Sequence, residues 1–131
     1  MRITDSRPAV SHYPVSTSQF QETSIRKLRK AFGVEGYAVY DYLANEAIRQ
    51  GAFLISCPSL FRQAARYWEI SLATVRKIVD YCLQIGLFNI RLYREYHILT
   101  SQELQNRYIQ SCMESRCTAD IPDALALPAD N

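Results

Sequence analysis

Residues 57–99 constrain the fold of this chain more than any other stretch. They place a short helical run, a tight link, and a second helical run with Thr74, Arg76 and Lys77 on its outward side. Two β-prone runs follow, split by Tyr93-Arg94. Together these pieces predict an α+β fold: a winged helix-turn-helix, mostly helical, with a small antiparallel β-hairpin wing and an extra short strand. Such an arrangement points to nucleic acid as the first partner to consider.

At 131 residues the chain is long enough for one domain with its own core and too short for two. Residues 1–23 are rich in Ser, Thr and Gln with Pro8 and Pro14. Residues 117–131 carry Pro122, Pro128 and small residues without helical periodicity. Both are expected to be flexible tails around a domain at residues 24–116. The net charge of +2 says little, but its distribution says more. Residues 24–116 hold 13 basic against 8 acidic side chains, an excess of five, whereas the last 15 residues contribute Asp120, Asp123 and Asp130 without a base. A basic folded part is compatible with phosphate contact, as it is with many other partners.

Several chemistries are set aside. Cys57, Cys82, Cys112 and Cys117 lack paired CxxC spacing, and only His12 and His97 are available to join them, so no metal is expected. Cys57 and Cys82 sit among apolar neighbours, where a thiol packs as a small hydrophobe. Two histidines leave no base placed for a Ser or Cys nucleophile, and no glycine-rich phosphate loop is present. The reading therefore contains no catalytic residue, cofactor or small-molecule substrate. With a polar N-terminus and no apolar run near the ~20 residues of a membrane span, a reduced cytoplasm is the expected setting.

Periodicity fills in the rest. Ile25, Leu28 and Phe32 form one stripe, with Arg26, Lys27, Arg29 and Lys30 on the other side, and Gly33 ends this helix. A second helix at residues 35–50 turns Tyr37, Tyr40, Leu43, Ala44, Ala47 and Ile48 inward and is closed by Gly51. Residues 52–56 are expected to form a strand pairing with the later hairpin. Pro58 opens a helix whose stripe is Leu60, Phe61, Ala64, Tyr67 and Trp68. Ser71 caps the next, in which Leu72, Val75, Ile78, Val79, Cys82 and Leu83 face inward and which stops at Gly86. Residues 87–91 and 95–99 are expected to pair as the wing, with Leu92, Tyr93 and Arg94 at its tip. Thr100-Ser101-Gln102-Glu103 reads as a capping box with Thr100 as the cap of a last helix, in which Leu104, Tyr108 and Cys112 pack inward.

The predicted DNA contacts are Arg62, Arg66, Ser71, Thr74, Arg76 and Lys77, with Arg91 and Arg94 beside the wing tip. Bases near a helix N-terminus favour phosphate, although an exposed Arg or Lys is ordinarily just solvated and Asp80 opposes the field. Arg91 and Arg94 serve equally well as charges that protect a strand edge. Arg26, Lys27, Arg29 and Lys30 form a secondary basic patch with the same solvated alternative. Tyr81 and Tyr93 are expected outward, to stack on a base or anchor a protein. In a competing reading the domain is a protein–protein or self-assembly module that uses Leu92 and Tyr93, with Leu54 and Ile55 beside them. A transcription regulator is a third option that shares the DNA chemistry.

KLRKAFGVEGYAVYDYL at residues 27–43 and IVDYCLQIGLFNI at residues 78–90 carry a resemblance. They look like the N-terminal winged-helix domain of DnaD-like replication-initiation proteins of phages and mobile elements, a domain-of-unknown-function family. The likeness runs over residues 12–116. Phe32, Gly33, Glu35, Gly36 and Tyr37 match its turn, and Gly86, Leu87 and Phe88 its wing entry. Where that family often starts Y-F-P-H-D, this chain has His12, Tyr13, Pro14, Val15 and Ser16. The resemblance implies a role in starting DNA replication, by binding DNA, with duplex as the expected form, and by assembling into a homo-oligomer or with a helicase-loading partner. Such relatives continue into a second domain, so either a truncated or a short stand-alone form is expected.

Overall fold

A computed structural model describes residues 10–128. Among these residues the order is a 3-10 turn (Gln19–Gln21), α1 (Thr23–Arg49), β1 (Leu54–Ile55), α2 (Pro58–Trp68), α3 (Leu72–Gln84), α4 (Ile90–Tyr96), β2 (Ile98–Leu99) and α5 (Gln102–Ser115). Helix α1 is two helices meeting at Gly33, whose φ of 66° and ψ of −147° are open essentially only to glycine. The break lets the second half press on the first. A Cβ at Gly36 would stand 2.8 Å from the Phe32 Cβ and 3.1 Å from the Leu28 carbonyl oxygen.

The core gathers Leu28, Leu43 and Ile48 of α1, Leu60 and Ala64 of α2, Val75, Ile78 and Cys82 of α3, Phe88, and Leu104 of α5. Helices α1, α2, α3 and α5 each show the core one stripe, at most of the positions the periodicity predicts. Strands β1 and β2 pair antiparallel, Leu54 with Leu99 and Ile55 with Ile98. The extra strand thus meets the second β-run of the expected hairpin.

The first β-run does not form a strand. The Asn89 side-chain oxygen accepts the Leu92 N–H at 2.9 Å and starts α4, which runs through the expected wing tip and ends at His97 in the left-handed region. Of the hairpin pairing, one bond remains in kind, from the Asn89 N–H to the Thr100 carbonyl at 2.7 Å. Leu92 decides the outcome. It is fully buried in a second cluster with Ile98 and Leu125, against Phe53, Ile121 and Leu127, a place a hairpin tip does not reach.

Two further boundaries differ from expectation. Ser101, not Thr100, caps α5 and accepts the Leu104 N–H at 3.1 Å, because the buried Thr100 hydroxyl donates to the Ala52 carbonyl at 2.5 Å. The segments read as tails also join the fold as far as they are described. Val10 is buried, and the Tyr13 ring lies 6.0 Å from the Arg107 guanidinium, itself paired with Glu103. At the other end the Gln105 amide holds the chain at both of its atoms. Nε2 donates to the Leu125 carbonyl at 2.8 Å and Oε1 accepts the Leu127 N–H at 2.8 Å. Residues 1–9 and 129–131 lie outside the described residues.

Candidate nucleic-acid interface

The link between α2 and α3 is three residues long. Glu69 adopts a left-handed conformation (φ 57°) that turns the chain, and Ser71 starts α3 by accepting the Thr74 N–H at 3.0 Å. The Ser71 and Thr74 hydroxyls also hydrogen-bond each other at 2.8 Å. Both expected contact residues are therefore engaged in building the helix start, with Ser71 exposed and Thr74 half-buried.

Helix α3 divides sharply between its two sides. Val75, Ile78, Val79, Cys82 and Leu83 are buried, whereas Arg76 and Lys77 are exposed. Arg62 and Arg66, one helical turn apart on α2, are exposed as well. Among the described residues none of these four bases has a carboxylate within ion-pair distance. An unpaired surface base keeps its full charge for a phosphate, since no partner has to be displaced.

Arg76 and Asp80 line one groove of about 290 Å³ with Tyr93 and His97 of the α4 region and Cys57 and Pro58 at the start of α2. The structure thus brings Arg76 together with α4, while Arg62 and Arg66 lie outside that groove. The wing-tip residues fare differently from expectation. Arg94 is exposed, but Arg91 pairs with Glu95 at 3.3 Å, one turn on, and its charge is partly offset. Tyr93 is half-buried, with its ring edge-on to His97 at 6.0 Å, and Tyr81 is half-buried, edge-on to Phe32 at 5.6 Å. Neither ring is turned freely outward. Leu92 and Leu54 are buried and offer no interface, while Ile55 is exposed.

Arg26, Lys27, Arg29 and Lys30 are all exposed on the first half of α1. Beside them is a feature that the sequence reading missed. Trp68 and Tyr67, assigned to the packing stripe of α2, are 40% and 64% exposed, and Phe20, assigned to a tail, is 59% exposed. The exposed Tyr67 ring lies between Tyr42, tilted at a centroid distance of 5.3 Å, and Trp68, edge-on at 4.9 Å. The α2 stripe is buried only through Leu60, Phe61, Ala64 and Ala65, because the helix ends at Trp68 and its last turn extends past the core. Asp41 nearby has its carboxyl pKa raised, chiefly by burial, with the Tyr37 hydroxyl and Arg107 acting the other way.

Among the described residues no group of three His, Cys, Asp or Glu side chains is placed to hold a metal ion, and no helix is long and apolar enough to cross a membrane. Burial pushes the Cys82 thiol up to about 12, far from a nucleophile's range. No curated protein and no solved structure matches the chain. Residues 12–104, from the segment before the 3-10 turn to the first turn of α5, match the family described as Lin1244/Lin1753-like, N-terminal, and the chain belongs to that family.

Proposed function

We propose that this domain binds duplex DNA through α3, as part of a replication-initiation protein of the DnaD-like kind that its motifs resemble. One observation carries the reading: α3 buries Val75, Ile78, Val79, Cys82 and Leu83 while Arg76 and Lys77 stand in solvent, unpaired among the described residues. Arg62 and Arg66 on α2 and Arg94 on α4 extend the exposed positive charge. In this reading α2, its three-residue link and α3 act as a helix-turn-helix. Phosphate contact supplies most of the affinity, because Arg76 is the one planar two-point donor on that face and the Ser71 and Thr74 hydroxyls are taken up by capping.

The role is one of binding, with no catalytic step and no cofactor. It fits a protein that assembles on DNA as a homo-oligomer or passes it to a helicase-loading partner; a transcription regulator would use the same surface. The competing protein–protein reading loses its anchor at the expected wing tip, because Leu92 is buried. An electrophoretic mobility-shift titration of the parent and an Arg76→Ala/Lys77→Ala variant tests the proposal. The parent retards a duplex at low salt and the variant binds at least ~30-fold more weakly, the loss of two phosphate contacts. Equal retardation by both proteins removes α3 as the contact helix.

A further inference from the structure

The break in α1 creates a groove of about 420 Å³, in the size range of built binding pockets, roughly 300–1,000 Å³. Of its apolar lining, Ile25 is buried, Tyr37 and Ala38 are half-buried, and Phe20, Val34 and Trp68 are exposed. Val34 is 85% exposed immediately after Gly33, so its side chain contributes almost nothing to the fold. Single exposed apolar residues are ordinary, but a contiguous apolar recess marks a contact surface. Arg26 and Arg29 line the same groove, with Lys27 and Lys30 on the same turns, against one lining carboxylate, Asp41, which hydrogen-bonds the Tyr37 hydroxyl.

Charge selects the occupant. Two copies meeting groove to groove bring together two surfaces that each carry Arg26 and Arg29 against a single Asp41, so self-association here is opposed by like charge. A membrane surface is flat and does not fill a groove, and a single strand of DNA has no aliphatic side chains to set against Ile25, Val34 and Ala38, while one carboxylate, Asp41, leaves the two arginines in excess for an acidic partner. We propose that this groove docks an acidic amphipathic segment of another protein, its apolar side chains against Phe20, Val34 and Trp68 and its carboxylates against Arg26 and Arg29. The mode is a helix laid in a groove, read at i, i+3, i+4 and i+7. This proposal stands apart from the DNA reading, because it uses neither α3 nor Arg62 and Arg66.

Trp68 is the single tryptophan of the chain, so its fluorescence reports on this groove directly. The full chain is titrated with two synthetic peptides of about 16 residues that share Leu and Phe at the helix-in-groove spacing and carry either Glu or Lys elsewhere. The Glu peptide is expected to shift Trp68 emission to the blue and saturate, and the Lys peptide to bind at least ~tenfold more weakly. Val34→Glu weakens the Glu peptide by roughly tenfold or more with an unchanged melting temperature, since Val34 is 85% exposed. Arg26→Glu/Arg29→Glu reverses the preference between the peptides. Binding of neither peptide, equal binding of both, or indifference to Val34→Glu overturns the proposal. A larger saturating response to an oligothymidine strand or to phosphatidylglycerol vesicles overturns it in favour of nucleic acid or membrane.

Discussion

Replacing Leu92 by alanine separates the observed α4 from a β-hairpin wing. At a hairpin tip the side chain is in water, and its truncation changes stability by no more than about 0.5 kcal/mol. In the structure Leu92 is fully buried against Ile98 and Leu125, with Phe53, Ile121 and Leu127 around them. Truncation removes three carbons from water-free surroundings at roughly 0.8 kcal/mol each, or about 2.4 kcal/mol before any cavity is counted. The cavity left behind adds to this by an amount set by how far its neighbours close on the gap. The expected cost is therefore about 2.5–3.5 kcal/mol, in the lower half of the range for buried leucines. For a domain of this size that lowers the melting temperature by on the order of 10 °C. Urea unfolding followed by circular dichroism reads the loss as a lower midpoint at unchanged slope. A midpoint indistinguishable from the parent refutes both the burial of Leu92 and the placement of α4.

Gly36→Ala is expected to cost about 1–3 kcal/mol, because the new methyl meets the Phe32 Cβ and the Leu28 carbonyl at the helix break; thermal melts read it, and a neutral result denies the close approach. Gln105→Leu removes the amide that holds Leu125 and Leu127 and leaves Thr100 without that donor, at a cost of about 1–3 kcal/mol. Limited proteolysis then cuts beyond residue 117 faster than in the parent, whereas equal rates show that Gln105 is not the tie. Burial raises the Cys82 thiol from its ordinary value to about 12, so the unfolded chain ionises first and stability falls as pH rises from about 9 towards 12. Cys82→Ala should flatten that part of the pH profile, and an unchanged profile rejects the assignment.

The parts of the fold legible in the sequence are those decided locally. The break at Gly33, the Ser71 cap and the division of α3 into aliphatic and basic sides follow from glycine geometry, hydroxyl capping and a 3.6-residue period. α4 was not legible, because Ile90, Leu92, Tyr93 and Tyr96 favour a strand by propensity. What overrides them is a distant partner: Leu125, 33 positions on, completes the cluster that Leu92 enters. The same cause hid the C-terminal segment, whose attachment rests on the burial of Leu125 against Leu92 and on the buried Gln105 amide, and not on any periodicity. Of the candidate interface, the exposure of Arg62, Arg66, Arg76 and Lys77 was readable from helical phase, whereas Arg94 was expected on a hairpin tip and is exposed on α4 instead. The groove at the helix break was not, since Trp68 continues the apolar stripe of α2 in sequence but lies beyond the core in space.

The salt dependence of duplex binding tests the central claim most directly. Fluorescence anisotropy of a labelled duplex is titrated with the chain at several salt concentrations. If Arg62, Arg66, Arg76, Lys77 and Arg94 each neutralise one phosphate, the logarithm of the association constant falls against the logarithm of salt with a slope of roughly −4 to −5, and Arg76→Ala/Lys77→Ala moves it to about −3. A slope near zero, no binding at low salt, or the same slope in the variant contradicts the assignment of α3 as the DNA-binding helix.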